Sequence, residues 1–428
     1  MARPGAYSGD FAKGKAQKRS RVANLLSVAR AQGQVWPLAS VLPEDENFMP
    51  FIHLLILSRP AIAAFAAMGV LWGSFAAALP DLKAMLGVDE AQMGLLMFLT
   101  PAAALTAMLV APRAGQVFGR FALPVAAALM CLGFVMPGQA SMIWLFPPAM
   151  MAAGFGTGLT DVLMNARVAT MESARGIHLM NLCHAAYSFG YAGGALMTGA
   201  LRQAHWSPAW VLGVMALVAG ALALMTVERD GRIDGLARPA KGAAGGLGLV
   251  PLIGGGMVFI AFLTENAAEN WSALHIEQTL GGSPSHGAMG PAALALTMGF
   301  ARLVGQSVAG RVSAVALLTS GAAVSAFGVL CVAAALSPFM AYAGFVIMGI
   351  GSSVIAPTTF SLVGAAAPDT ARARAVARAT MIGYLGYFIG PPGFGLIAGT
   401  LGLRFAFVAA ALALALVPVL ARILARRA

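Results

Sequence analysis

Asp161, His184, Glu265 and Glu269 each fall inside a long apolar stretch of the chain. An ionisable group at the middle of a bilayer costs about 2.5–3.5 kcal/mol on insertion scales, so one placed there marks function. A carboxylate in such a place can bind and release a proton as its hydration changes. Gly154, Gly158, Asp161, Asn165 and Glu172 follow one another at spacings of 4, 3, 4 and 7, which is one helical face. Its glycines permit close packing or leave open space. His184 and Ser188 are one turn apart at the start of the next stretch. A short connection brings that stretch back antiparallel, so an Asp161–His184 proton relay is one expectation and a hydrogen-bonded core histidine the other. Glu265 and Glu269, also one turn apart, repel unless one is protonated or both are hydrated. Glu265 lies deeper, while Glu269 fits an interfacial charge equally well. These four are the candidate proton-coupling residues.

The same stretches carry side chains suited to a solute cavity: Trp72, Asn165, Ser188, Asn266, Trp271, Ser352, Thr359, Tyr384 and Tyr387. Rings with hydroxyls suit a neutral, sugar-like compound, and they serve equally as packing or interface anchors. Arg302 is expected to snorkel or pair with an acid in a structural role. Gln116, Arg120, Glu172, Gln306 and Arg311 complete a structural or gating set. No nucleophile or metal-ligand set accompanies Asp161 and His184. Gly-x-x-x-x-Gly-Lys-Ser/Thr, Gly-x-Ser-x-Gly and His-Glu-x-x-His are all absent. An enzyme and an ATP-driven pump are therefore not expected, nor is a cofactor or a metal. Cys131, Cys183 and Cys331 lie far apart in apolar runs and read as small buried hydrophobes.

The elements that must position these groups are membrane helices. The chain is 59% hydrophobic and 10% charged, against roughly 45–50% and about 25% in soluble domains. Apolar runs of spanning length fall at 60–80, 92–112, 121–138, 142–168, 179–201 and 208–227, then at 247–270, 288–309, 313–335, 339–364, 379–401 and 404–424. This predicts an all-α integral membrane protein of twelve transmembrane helices in two six-helix bundles, over 60–227 and 247–428. Residues 228–246, rich in Arg and Gly, form the linker. Residues 1–59 form a basic, disordered cytoplasmic tail, of which 1–48 are expected to be dispensable. With both termini cytoplasmic, all but three of the 27 Lys and Arg residues lie inside; Lys83, Arg202 and Arg404 lie outside. The net charge of +11 therefore reports topology rather than a nucleic-acid partner.

The two halves echo one another. Gly115-Gln116-x-x-Gly119-Arg120 is matched by Gly305-Gln306-x-x-x-Gly310-Arg311, Gly154-x-Gly156 by Gly349-x-Gly351, and Ser188-Phe-Gly190-Tyr191 by Leu385-Gly386-Tyr387. With Gly154-x-Gly156-x-Gly158, Asp161, Asn165, Glu172, His184-x-x-x-Ser188-x-Gly190, Glu265, Trp271-Ser272 and Arg302-x-x-Gly305, residues 60–425 resemble the major facilitator superfamily. Within it the sequence looks closest to a bacterial YbjJ-like and fucose-permease-like branch. The resemblance implies pseudo-two-fold symmetry, alternating access and a central cavity lined by the first, fourth, seventh and tenth helices. The family's loop after the second helix carries Gly, Asp and Arg where this chain has Pro112, Gln116 and Val117, and Gln306 replaces the Asp of the second half. A neutral, hydrogen-bonded latch is expected in place of a salt-bridged one. In the seventh helix the branch's acid before the Trp is here Asn270, with Glu269 one residue earlier.

The expected function is secondary transport at the bacterial inner membrane by a monomer, with a small solute and protons as partners beside the bilayer. Proton symport of a neutral sugar-like compound is the first reading. Proton-driven efflux of an amphipathic compound is the alternative, and a non-transporting sensor on the same fold is a third.

Overall fold

The computed structural model describes residues 49–175, 179–233, 247–305, 312–368 and 371–426. Leu57–Ala428 pack as one compact unit. The described residues form helices and no strand, because in hydrocarbon each backbone N–H and C=O must be satisfied within its own segment. The first half runs α1 (Met49–Leu86), α2 (Glu90–Met97), α3 (Leu99–Phe118), α4 (Ala122–Gln139), α5 (Phe146–Arg175), α6 (Met180–Gln203) and α7 (Pro208–Leu224). The second runs α8 (Val250–Leu274), α9 (Pro284–Gly305), α10 (Ala314–Ala334), α11 (Pro338–Ser352), α12 (Ile355–Ala366), α13 (Arg372–Leu401), α14 (Leu403–Leu414) and α15 (Val417–Ala425). Taking α2 with α3, α11 with α12, and α14 with α15 as interrupted rods, the described residues make twelve transmembrane helices in two six-helix bundles. Large apolar side chains cover the outside, with Leu109 81% and Leu336 80% exposed. A surface of that kind is stable against lipid and not against water.

Several boundaries differ from expectation: α3 runs to Phe118 rather than 112, α5 to Arg175 rather than 168, and α13 starts at Arg372 rather than 379. α1 begins at Met49 rather than near residue 60. α8 runs past 270 into a π-helical turn, His275–Thr279, because Trp271, Ala273, Leu274 and Ile276 are wholly buried and hold the helix in the bundle. The linker's first residues are docked. The Arg167 guanidinium donates to the Glu228 carboxylate at 3.0 and 2.8 Å and to the carbonyls of Arg232 and Asp230 at 2.7 and 2.9 Å. Residues 1–48 and 234–246 lie outside the described residues. The docked segment marks one end of the bundle, the linker end; α1, α6 and α8 finish at the opposite, far end.

The packing repeats between halves. α5 packs on α3 and α4, and α11 packs on α9 and α10 in the same relation. Likewise α4 packs on α7, and α10 on α14. The glycine echoes sit at equivalent crossings. A Cβ at Gly154 would meet the Thr100 backbone of α3, and one at Gly349 would meet Thr297 of α9. Gly190 lies against Ala66 of α1, and Gly386 against Phe259 of α8. On the Asp161 face, then, glycine serves close helix approach rather than open space. The halves meet along α6 with α9 and α2 with α13.

Glu172 has a definite structural task. Its Oε1 accepts the backbone N–H groups of Leu179 and Met180 at 2.5 and 2.9 Å, capping the start of α6. Those donors have no partner within the helix. Glu172→Ala is expected to cost about 1–3 kcal/mol, seen as a lower unfolding midpoint of the purified protein. Gln116 is exposed, so Gln116→Ala should leave that midpoint unchanged.

Candidate functional site

A cavity of about 310 Å³ lies between the bundles, walled by α1, α2, α3, α5, α6, α8, α9, α11, α12 and α13. The first, fourth, seventh and tenth helices all contribute, as expected. The fifth, eighth and eleventh supply as much of its chemistry, through His184, Tyr187 and Tyr191, Arg302, and Tyr384 and Tyr387.

Asp161 faces this space from α5. Its Oδ1 accepts from Asn165 Nδ2 at 3.1 Å, and its Oδ2 accepts from the Tyr384 hydroxyl of the other half at 3.4 Å. Asn165 is thus a support for Asp161; its amide also donates to the Asp161 carbonyl at 2.8 Å. The expected Asp161–His184 pair is replaced by these contacts. His184 lies edge-on to Phe65, ring centroids 5.0 Å apart. Helices joined by a short turn need not be packing partners: α5 sits on α3 and α4, whereas α6 lies against α1, where Gly73 abuts the Tyr191 backbone. Both residues still line the one cavity.

From α8, Phe262, Glu265, Asn266 and Glu269 face inward. Glu265 pairs with Arg302 Nη2 at 3.2 Å, the acid partner expected for that arginine. Glu269 borders the cavity. Trp72, Asn266, Ser352, Tyr384 and Tyr387 line the space. Ser188, Trp271 and Thr359 do not. Ser188 is buried against Gly299 at the α6–α9 crossing. Trp271 is wholly buried and stacks on Phe394, 5.5 Å between centroids. Thr359 Oγ1 donates back to the Ile355 carbonyl at 2.7 Å. Each is on the right helix but turned away from the cavity.

The expected neutral latch is not formed among the described residues. Gln116 is exposed and Arg120 lies over the Phe121 ring at 4.7 Å; Gln306 and Arg311 are outside the described residues. The described residues hold no metal-binding cluster.

Sequence reasoning missed two groups. Tyr187 and Tyr191 continue the inward face of α6 from His184 at helical spacing, a signal hidden by pairing His184 with Ser188 instead. The second group closes the far end. Arg202, its side chain 1% exposed, uses all five of its N–H donors. Two go to Asp81 at 2.8 and 2.6 Å, two to Glu277 at 2.7 and 2.9 Å, and one to the Ala77 carbonyl at 2.7 Å. Asp81 and Arg202 belong to the first half and Glu277 to the second, so this cluster ties the bundles together. Ser285 Oγ donates to the Gly199 carbonyl beside it at 3.3 Å.

Known proteins agree with this architecture. The Major Facilitator Superfamily profile matches residues 254–428. An MFS-type transporter of Yersinia pestis is 30% identical over 374 residues, which cover 85% of this chain and 94% of the relative. Among solved structures, a bacterial homologue of the human lysosomal transporter Spinster superposes with a TM-score of 0.67 at 17% identity, covering 87% of this chain and 96% of that one. The nucleoside transporter NupG superposes with a TM-score of 0.66 at 13% identity, covering 87% and 98%. The repeated six-helix packing, the cavity at its centre and the sequence match over most of the chain lead to one conclusion: this protein belongs to the major facilitator superfamily of membrane transporters.

Proposed function

We propose that the chain carries a small hydroxylated solute through the bacterial inner membrane by alternating access, in symport with protons, with its linker end cytoplasmic. The supporting observation is the placement of Asp161 and Glu265, one from each bundle, on a single cavity, with Tyr384 bonded across the halves to Asp161. A proton on Asp161 changes what that hydroxyl meets, so protonation and the relation of the bundles become one equilibrium. The far end is held shut by Arg202, which supports solute entry from the linker end in this state. Tyrosine hydroxyls and the Trp72 ring fit a polar ring compound. A second reading, efflux of an amphipathic compound, is supported by the five methionines of the wall, Met68, Met97, Met108, Met150 and Met164, which adapt to varied shapes.

A ligand found by thermal shift tests the function. Added outside proteoliposomes, it should draw protons in with it; entry without proton movement overturns the symport. Sidedness is tested in sealed cells. Arg229→Cys should react with thiol reagents only from the cytoplasm and Gln203→Cys only from outside. The reverse pattern overturns the orientation.

A further inference from the structure

The cavity holds three carboxylates, Asp161, Glu265 and Glu269, against a single guanidinium, Arg302. Arg302 is taken by Glu265. Asp161 is held by neutral donors, Asn165 and Tyr384. The Glu269 carboxylate makes no hydrogen bond or ion pair among the described residues, although the residue lines the cavity. One turn before it on the same wall, the Asn266 amide oxygen is buried without a partner. Across the space Thr100, 6% exposed, has its hydroxyl buried and unpaired. Unpartnered polar atoms therefore lie buried in the walls of a cavity with surplus formal negative charge.

Resting on the transport reading above, we propose that the solute carries a protonated amine, and that Glu269 with Asn266 receives it. The groups facing Glu269 fit this assignment. Glu265 lies on its own helix and Arg302 on α9; Tyr187 and Tyr191 come from α6 and Tyr387 from α13. Half-buried Tyr187, which packs on the buried Tyr191 ring with centroids 6.0 Å apart, offers a π face that attracts a cation. An unpaired buried carboxylate is costly, and a cation that binds it offsets that cost. One ammonium and one proton together bring the four charged groups to formal neutrality, which lets the loaded cavity close away from water. An anionic solute would add to the surplus.

The test uses matched pairs on the purified full chain: glucosamine against glucose, and benzylamine against benzyl alcohol, each balanced with potassium chloride. The amines should raise the unfolding midpoint more than their partners do. Glu269→Gln should weaken amine binding about tenfold or more and leave the alcohols unchanged; Glu269→Asp should keep the amine preference. The proposal is overturned if the alcohols match the amines, if Glu269→Gln binds amines as the wild type does, or if no amine binds. Proton movement in proteoliposomes keeps the two ideas separable. If glucose or benzyl alcohol binds and draws protons in, transport stands and the cation site falls. If an amine binds yet nothing moves, the transport reading is the one that fails.

Discussion

Vesicles containing Asp161→Asn are expected to exchange solute across the membrane but not to accumulate it against a proton gradient. The asparagine can still accept from Tyr384 and sit beside Asn165, so the contact between the halves survives. What it lacks is a group that binds and releases a proton. In the wild type each coupled proton permits about tenfold accumulation per unit of pH difference; in the variant the ratio should fall to one. Glu265→Gln is expected to do more damage, because it strands the Arg302 guanidinium beside the cavity. Leaving one member of this part-buried pair without its partner costs about 1–3 kcal/mol. The double variant Glu265→Gln with Arg302→Gln removes that charge and separates the two effects. If it regains stability but not accumulation, Glu265 couples protons; if it regains both, Glu265 only held Arg302. Unchanged solute-driven proton movement in both Asp161→Asn and Glu265→Gln would sink the coupling assignment.

Arg202→Ala should open the far end. Arg202 binds Glu277 of the second bundle through two charge-assisted hydrogen bonds, an arrangement of about 1.5–3 kcal/mol. Asp81 belongs to the same bundle as Arg202 and only orients it, so the link to Glu277 carries the closing force. Its loss shifts the closed-to-open ratio by about 10- to 150-fold and leaves two carboxylates facing one another. Ala288, wholly buried where α9 meets Gly199 of α6, reports the change. Ala288→Cys should be protected from an impermeant thiol reagent on the far side when Arg202 is present and react when it is replaced. Continued protection in Arg202→Ala would show that helix packing alone keeps this end shut. Arg202→Lys, which cannot span both carboxylates in the same fork, is expected to lie between.

The twelve-helix architecture was legible in the sequence because a bilayer imposes it locally. Length and apolarity select the spans, and unsatisfiable backbone groups exclude other structure. The glycine echoes were legible as a repeat, and two of them show why: Gly154 with Gly349, and Gly190 with Gly386, each lack a Cβ where a neighbouring helix comes close. Asp161, Glu265, Tyr384 and Tyr387 could be read as candidates because charge or a hydroxyl in an apolar run is costly wherever it faces. Which face of each helix turns inward was decided only by tertiary packing. Helical spacing places Ser188 and Tyr187 on adjoining faces of α6, and the approach of Gly73 to the Tyr191 backbone selects the tyrosine face for the cavity. Pairing between distant residues was likewise beyond the sequence. Arg202, Asp81 and Glu277 lie on three helices, and nothing local shows that they converge. That three-way contact depends on the register of two bundles against each other, which is set by the whole α6–α9 and α2–α13 seam and not by any one of its residues.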